Sequence, residues 1–139
     1  MKKVLSVMSL LMLLMFGFSG LASAATDYNW AWFNTNDGKW DRTIKTTNYD
    51  NAVRIYVRNS VMVPGNKPIG STVLSAKLCN TSTGRCTGYQ KLYYGYESSS
   101  NPFTTFTNMI PGTYYVDIYD PYGSYSVSGE NYISVASFF

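Results

Sequence analysis

The chain has 139 residues, of which 45% are hydrophobic, 17% aromatic and only 14% charged, with 11 Lys and Arg against 8 Asp and Glu and no His. Without His there is no Ser-His or Cys-His catalytic pair and no basis for most catalytic zinc sites. The net charge of +3 falls to about +1 once Lys2 and Lys3 are set aside, so nothing points to nucleic acid or an anionic membrane as a partner.

In chain order, residues 1–24 read as a secretory signal peptide. Lys2 and Lys3 form a positive start, Val4 to Phe18 is an almost unbroken apolar run, and Ala22-Ser23-Ala24 supplies the small residues of a cleavage site. The apolar run is shorter than the roughly 20 residues that a bilayer span takes, so no stable membrane anchor is expected after cleavage. Residues 25–139 are expected to form one exported domain, extracellular and able to associate with the cell wall. All 13 Tyr and 3 Trp lie in this part, and with Val, Ile and Thr they favour pleated sheet over helix.

Tyr28 to Phe33 reads as a strand with Tyr28, Trp30 and Trp32 on one face, followed by a turn at Asn34-Thr35-Asn36-Asp37-Gly38 and a partner strand over Trp40 to Thr46. The Asn and Asp of this turn could offer oxygen ligands to calcium. The spacing lacks the terminal Glu of an EF-hand loop, and a turn is the simpler reading. Ala52 to Arg58 alternates cleanly, with Val53, Ile55 and Val57 directed inward and Arg54, Tyr56 and Arg58 outward. Pro64 to Pro68 is a loop by composition, and Thr72 to Asn80 is a strand. Cys79 and Cys86 bracket a turn-rich segment and form a predicted disulfide hairpin.

Tyr89 to Glu97 is predicted as a further strand, and Ser98 to Pro102 as a break. Phe103 to Thr107 is a short strand, and Thr113 to Asp120 alternates with Tyr114, Val116 and Ile118 inward and Tyr115 and Tyr119 outward. Asp120 to Gly123 is a turn, and strands over Ser124 to Val127 and Tyr132 to Ala136 complete the set. About seven to nine short strands imply an all-β chain folded as a small antiparallel β-sandwich, of the immunoglobulin or fibronectin III type. A small β-barrel is the alternative.

The segment Phe106-Thr107-Asn108-Met109-Ile110-Pro111-Gly112-Thr113-Tyr114-Tyr115-Val116 resembles fibronectin type III-like and bacterial pre-peptidase-like sandwiches, in which Pro-Gly-x-Tyr-x-Val enters a late strand. Tyr125-Ser126-Val127-Ser128-Gly129 is similar to the closing strands of the same modules, and the chain looks like a small secreted sandwich protein of Gram-positive bacteria. The resemblance implies that Tyr114 packs inward and bonds through its hydroxyl to the preceding loop, as a tyrosine corner. It implies nothing specific about activity.

For function, the surplus of aromatic residues is the leading feature. Trp30, Trp32, Trp40, Tyr56, Tyr94, Tyr115 and Tyr119 are the candidate ligand-binding residues, because outward-phase rings beside Asn, Thr and Asp can stack on sugars or anchor a protein surface. The competing explanation is cross-strand packing that merely stiffens the sheet. No cofactor, metal site or catalytic group is expected. The acids Glu97, Asp117, Asp120 and Glu130 are the only material for a glycosidase-like pair. The expectation is thus a non-enzymatic module that binds an extracellular polysaccharide or protein surface, with a bacteriocin-like antibacterial effector as the alternative.

Overall fold

The computed structural model describes residues 24–96 and 98–137. The leader, Glu97 and the last two residues therefore lie outside the described residues, and the predicted signal peptide with them. Among the described residues the strands are β1 (Thr26–Asn34), β2 (Arg42–Thr46), β3 (Ala52–Val63), β4 (Lys67–Pro68), β5 (Ser75–Asn80), β6 (Gln90–Lys91), β7 (Tyr93–Gly95), β8 (Ser98–Phe106), β9 (Gly112–Tyr119) and β10 (Ser126–Ala136). Seven of them have five residues or more. A single 3-10 turn at Ser71–Val73 precedes β5.

The strands form two antiparallel sheets. The large sheet runs β1-β10-β3-β8-β7, with β4 folded back on β3, and the small sheet runs β2-β9-β5-β6. The chain is a sandwich rather than a closed barrel, and it is all-β as its composition implies. The core lies between the sheets. Val53, Ile55, Val57, Ile133 and Val135 from the large sheet meet Ile44, Leu78, Val116 and Ile118 from the small one. Burial alternates with the pleat, most regularly in β10, where every odd residue from Val127 to Val135 is buried.

Tyr114 is 5% exposed, and its hydroxyl donates to the Ile110 carbonyl at 2.8 Å, which is the geometry of a tyrosine corner. Cys79 and Cys86 are disulfide-bonded and sit opposite each other as an antiparallel bridge. Closing this short ring contributes about 2–3 kcal/mol in the chain-entropy view.

Several local expectations are corrected by long-range pairing. Trp40 to Thr46 does not return beside the first strand. β1 pairs with β10 and β2 with β9, so the segment after Asn34 crosses from one sheet to the other. Tyr28, Trp30 and Trp32 do not share a face either, because the β1–β10 register shifts between Tyr28 and Ala31. At this bulge Asn29 and Trp30 together oppose Tyr132, which reverses the phase. Tyr28 packs against the core, while Trp30 and Trp32 look outward.

Ser98 to Pro102 is not a break but the first half of β8. Tyr89 to Glu97 is not one strand but two, with β6 in the small sheet and β7 in the large one. Leu92, 2% exposed, lies at the crossing and gives its backbone N–H to Leu74. The two predicted closing strands are one, β10, continuous through Gly129. A Cβ there would meet the Phe33 ring at 2.9 Å, so glycine lets that ring cross the strand.

Candidate functional site

The aromatic side chains gather in two regions, on opposite sheets. The first is built on the 35–41 segment that carries the chain between sheets. Its conformation is set by polar anchors. Thr35 exchanges backbone and side-chain hydrogen bonds with Val127, and its hydroxyl also donates to the buried Asp120 carboxylate. Asn36 donates to the same carboxylate at 3.1 Å and to the Tyr125 carbonyl at 3.2 Å. Asp120 in turn accepts from the Tyr122 N–H at 2.6 Å. It is the turn residue expected and also the buried acceptor that ties two loops together. Asn36 and Gly38 have φ of 62° and 73°, the left-handed region that Gly and Asn tolerate. The Asp37 carboxylate is engaged by the Lys39 N–H, as an Asx turn requires. Among the described residues, no group of three or more His, Cys, Asp or Glu is placed to hold a metal ion.

So fixed, the segment lays Trp40 on Tyr115 of β9. The ring centroids are 5.1 Å apart and the planes differ by 5°. Trp40 remains 47% exposed, so its ring is backed on one side and open on the other. Two depressions of about 300 Å³ each adjoin it and share Asn34 and Lys39 in their walls. One is closed by Trp32, itself 68% exposed, together with Asp37 and Asp41. The other is closed by Tyr89, Tyr119 and Asp117. Tyr89 lies 5.1 Å from Tyr119, and its hydroxyl donates to Asp117 at 3.0 Å. Lys77 bridges to Asp117 at 3.2 Å and sits 4.6 Å over the Tyr89 ring. These contacts, the Tyr89 hydroxyl foremost and then Asp117, raise the Lys77 pKa above its ordinary value.

Asp41, at the end of the segment, accepts from the Ile118 N–H at 2.6 Å. Burial, reinforced by the negative charges of Asp117 and Asp37, nevertheless raises its pKa to about 7. The carboxyl titrates near neutrality at the edge of the Trp32–Trp40 depression.

The second region crosses the outer face of the large sheet. Trp30, Tyr132, Tyr56, Phe103 and Tyr93 come from five successive strands, β1, β10, β3, β8 and β7. Their centroids step by 5.6, 5.8, 5.4 and 4.9 Å, with interplanar angles of 39° to 55°. Phe103, flanked by rings on both sides, is only 3% exposed. Arg58 stacks over Trp30 at 3.9 Å and Arg54 over Phe103 at 5.0 Å. Arg58 also pairs with Glu130 at 3.0 Å. Hydrogen bonds from Arg58 and then Asn59 hold the Glu130 carboxyl below its ordinary pKa. Loss of solvent around the Tyr132 hydroxyl, followed by the Asp27 carboxylate beside it, pushes Tyr132 up to about 12.

Of the seven candidates, Trp40, Tyr115 and Tyr119 come together on the small sheet, and Trp32 joins them from the edge of the large one. Trp30 and Tyr56 belong to the large-sheet row. Tyr94 joins neither and stands over a separate depression beside Asn59 and Pro68. Sequence reasoning missed Tyr89, Tyr93, Tyr132 and Phe103 as members, along with the arginines stacked on the row. The alternation of Ile133 and Val135 was a usable signal for an outward Tyr132. For Tyr89 there was none, because its neighbour Tyr119 arrives from a distant strand. Asp117 and Glu130 lie on opposite faces of the sandwich, each beside its own cation, so they form no paired-acid site.

Comparison with protein-family models, with curated proteins and with solved structures returned no match.

Proposed function

We propose that the protein is an exported, non-enzymatic binding module that engages an extracellular polysaccharide on the Trp40 platform. One observation carries this reading. Trp40 lies parallel on Tyr115, with its other face open between two polar depressions. A flat, rigid, half-desolvated indole offers a pyranose ring its apolar face without having to be ordered on binding. Asn34, Asp37, Lys39 and Asp117 stand around it as donors and acceptors for hydroxyl groups. A few polar groups around an apolar floor are what orient a small ligand.

Export is supported by the leader pattern at residues 1–24 and by the disulfide, which belongs to an oxidising compartment. The non-enzymatic reading is supported by the engagement of the carboxylates: Asp117 with Lys77 and Tyr89, Glu130 with Arg58, and Asp120 with Thr35, Asn36 and Tyr122. The test is sedimentation with insoluble cell-wall and matrix polysaccharides. Saturable retention is expected, reversed by a defined soluble sugar and weakened about tenfold or more by Trp40→Ala, roughly 1.4 kcal/mol or more. No retention on any of the polymers, or retention indifferent to Trp40, would overturn the reading.

A further inference from the structure

The large-sheet face holds a depression of about 390 Å³ that the Trp40 platform does not use. The rings of Trp30, Tyr56 and Tyr132 line it, together with the carboxylate residue Asp27. The pairing register explains the grouping. Asp27 sits opposite Ser134, the β1 bulge brings Trp30 opposite Tyr132, and Tyr132 is the direct cross-strand partner of Tyr56. Tyr132 is inclined 39° to Trp30 and 55° to Tyr56. The ring faces are therefore turned in different directions, unlike the parallel stack at Trp40. A pyranose finds no platform on them, whereas a rounded group can touch several ring faces at once.

Electrostatics select the kind of rounded group. Aromatic faces present negative charge density and attract cations, most strongly when these are partly desolvated. Asp27 adds a full negative charge. The Asp27 carboxylate contributes to the raised pKa of Tyr132, and Asp27 makes no ion pair among the described residues. The two arginines of this face do not line the depression. Arg58 is paired with Glu130 and covers one face of Trp30, so that this ring has only its other face to offer, and Arg54 lies over Phe103 and donates to Thr105. A compact primary ammonium is strongly hydrated and wants several acceptors. An alkylated ammonium spreads its charge over methyl groups and is well matched by three rings and one carboxylate. Ser98 and Asn101, also in the wall, remain for a polar substituent on the same ligand.

We propose that this depression binds a quaternary ammonium group of the choline type, with Trp30, Tyr56 and Tyr132 supplying ring faces and Asp27 the counter-charge. The site is separate from the Trp40 platform and stands or falls independently of polysaccharide binding. The test is titration of the purified protein with choline chloride, followed through the three tryptophan indole N–H signals in a ¹H–¹⁵N spectrum. The Trp30 signal is expected to shift saturably while those of Trp32 and Trp40 stay in place. Its neutral isostere, 3,3-dimethylbutan-1-ol, is expected to bind at least fivefold more weakly. Asp27→Asn, an exposed position whose replacement keeps the fold, is expected to weaken choline at least fivefold with the dispersion of the spectrum retained, and Tyr56→Leu to weaken it likewise. Competition by phosphatidylcholine vesicles would identify a lipid headgroup as the source of the ligand, and its absence a soluble one; either follows only on choline binding and agrees with the proposal. No saturable shift of Trp30, equal binding of the neutral isostere, or an Asp27→Asn variant that binds choline unchanged would overturn it.

Discussion

The two aromatic regions use the same residue types to opposite ends. Across the large sheet, each central ring has a neighbour on either side, the planes tilt against one another, and Phe103 in the row is only 3% exposed. Around Trp40 the stack has two members and ends in solvent, with planes only 5° apart. The difference follows from position. A ring on an inner strand is flanked by two strands and becomes part of the packing, whereas a ring on a loop beside a sheet edge is covered once. The number of aromatic residues therefore says less about a binding surface than the number of neighbours each ring has.

The comparison is broken most sharply by truncating one ring in each region. Phe103→Ala is expected to destabilise the fold by about 3–4 kcal/mol, since it empties a nearly closed site. Trp40→Ala is expected to cost about 2 kcal/mol, because about half of its surface is already in water. Urea unfolding of both variants checks this, and similar losses would mean that the platform is structural too. Next in size is Asp120→Ala, which removes the acceptor shared by Thr35, Asn36 and Tyr122. A loss of about 2–3 kcal/mol is expected from the buried Thr35 hydroxyl and the partly buried Tyr122 N–H left unpaired. Hydrogen exchange should quicken in the 35–41 segment and not at Tyr56 or Tyr132. Reducing the Cys79–Cys86 bridge is expected to cost about 2 kcal/mol. Cys79 is the cross-strand partner of Tyr115, so the Trp40 side should register the loss first.

The smallest effect concerns pH. Asp41 has its pKa raised to about 7 in the fold, against 3.8 ordinarily, so the folded state binds the proton more tightly than the unfolded chain does. Its contribution to stability is full below pH 3.8 and is lost as pH rises through about 7. Asp41→Asn keeps an acceptor for the Ile118 N–H without the charge. It is expected to match the parent at pH 3.5 and to exceed it at pH 8 by about 1 kcal/mol, solvent contact tempering the gain. Denaturation midpoints at the two pH values decide it. No change in the large-sheet row is expected, because none of its five rings lines the depression that holds Asp41.

Much of this was legible in the residues. The alternation of Val53, Ile55 and Val57, and of Tyr114, Val116 and Ile118, determined which faces turn inward, because the side-chain period of a strand is two and one face must leave water. The cysteine pair and the tyrosine corner were also readable, since each is a local motif joining residues close in sequence. What only the tertiary structure decided is which strand lies beside which. Trp40 leaves its sequence neighbours to stack on Tyr115, a bulge turns Trp30 away from the side of Tyr28, and Tyr89 finds Tyr119 from another strand. These contacts depend on register and on the crossing between sheets, and neither is encoded in the local pattern that makes a strand a strand.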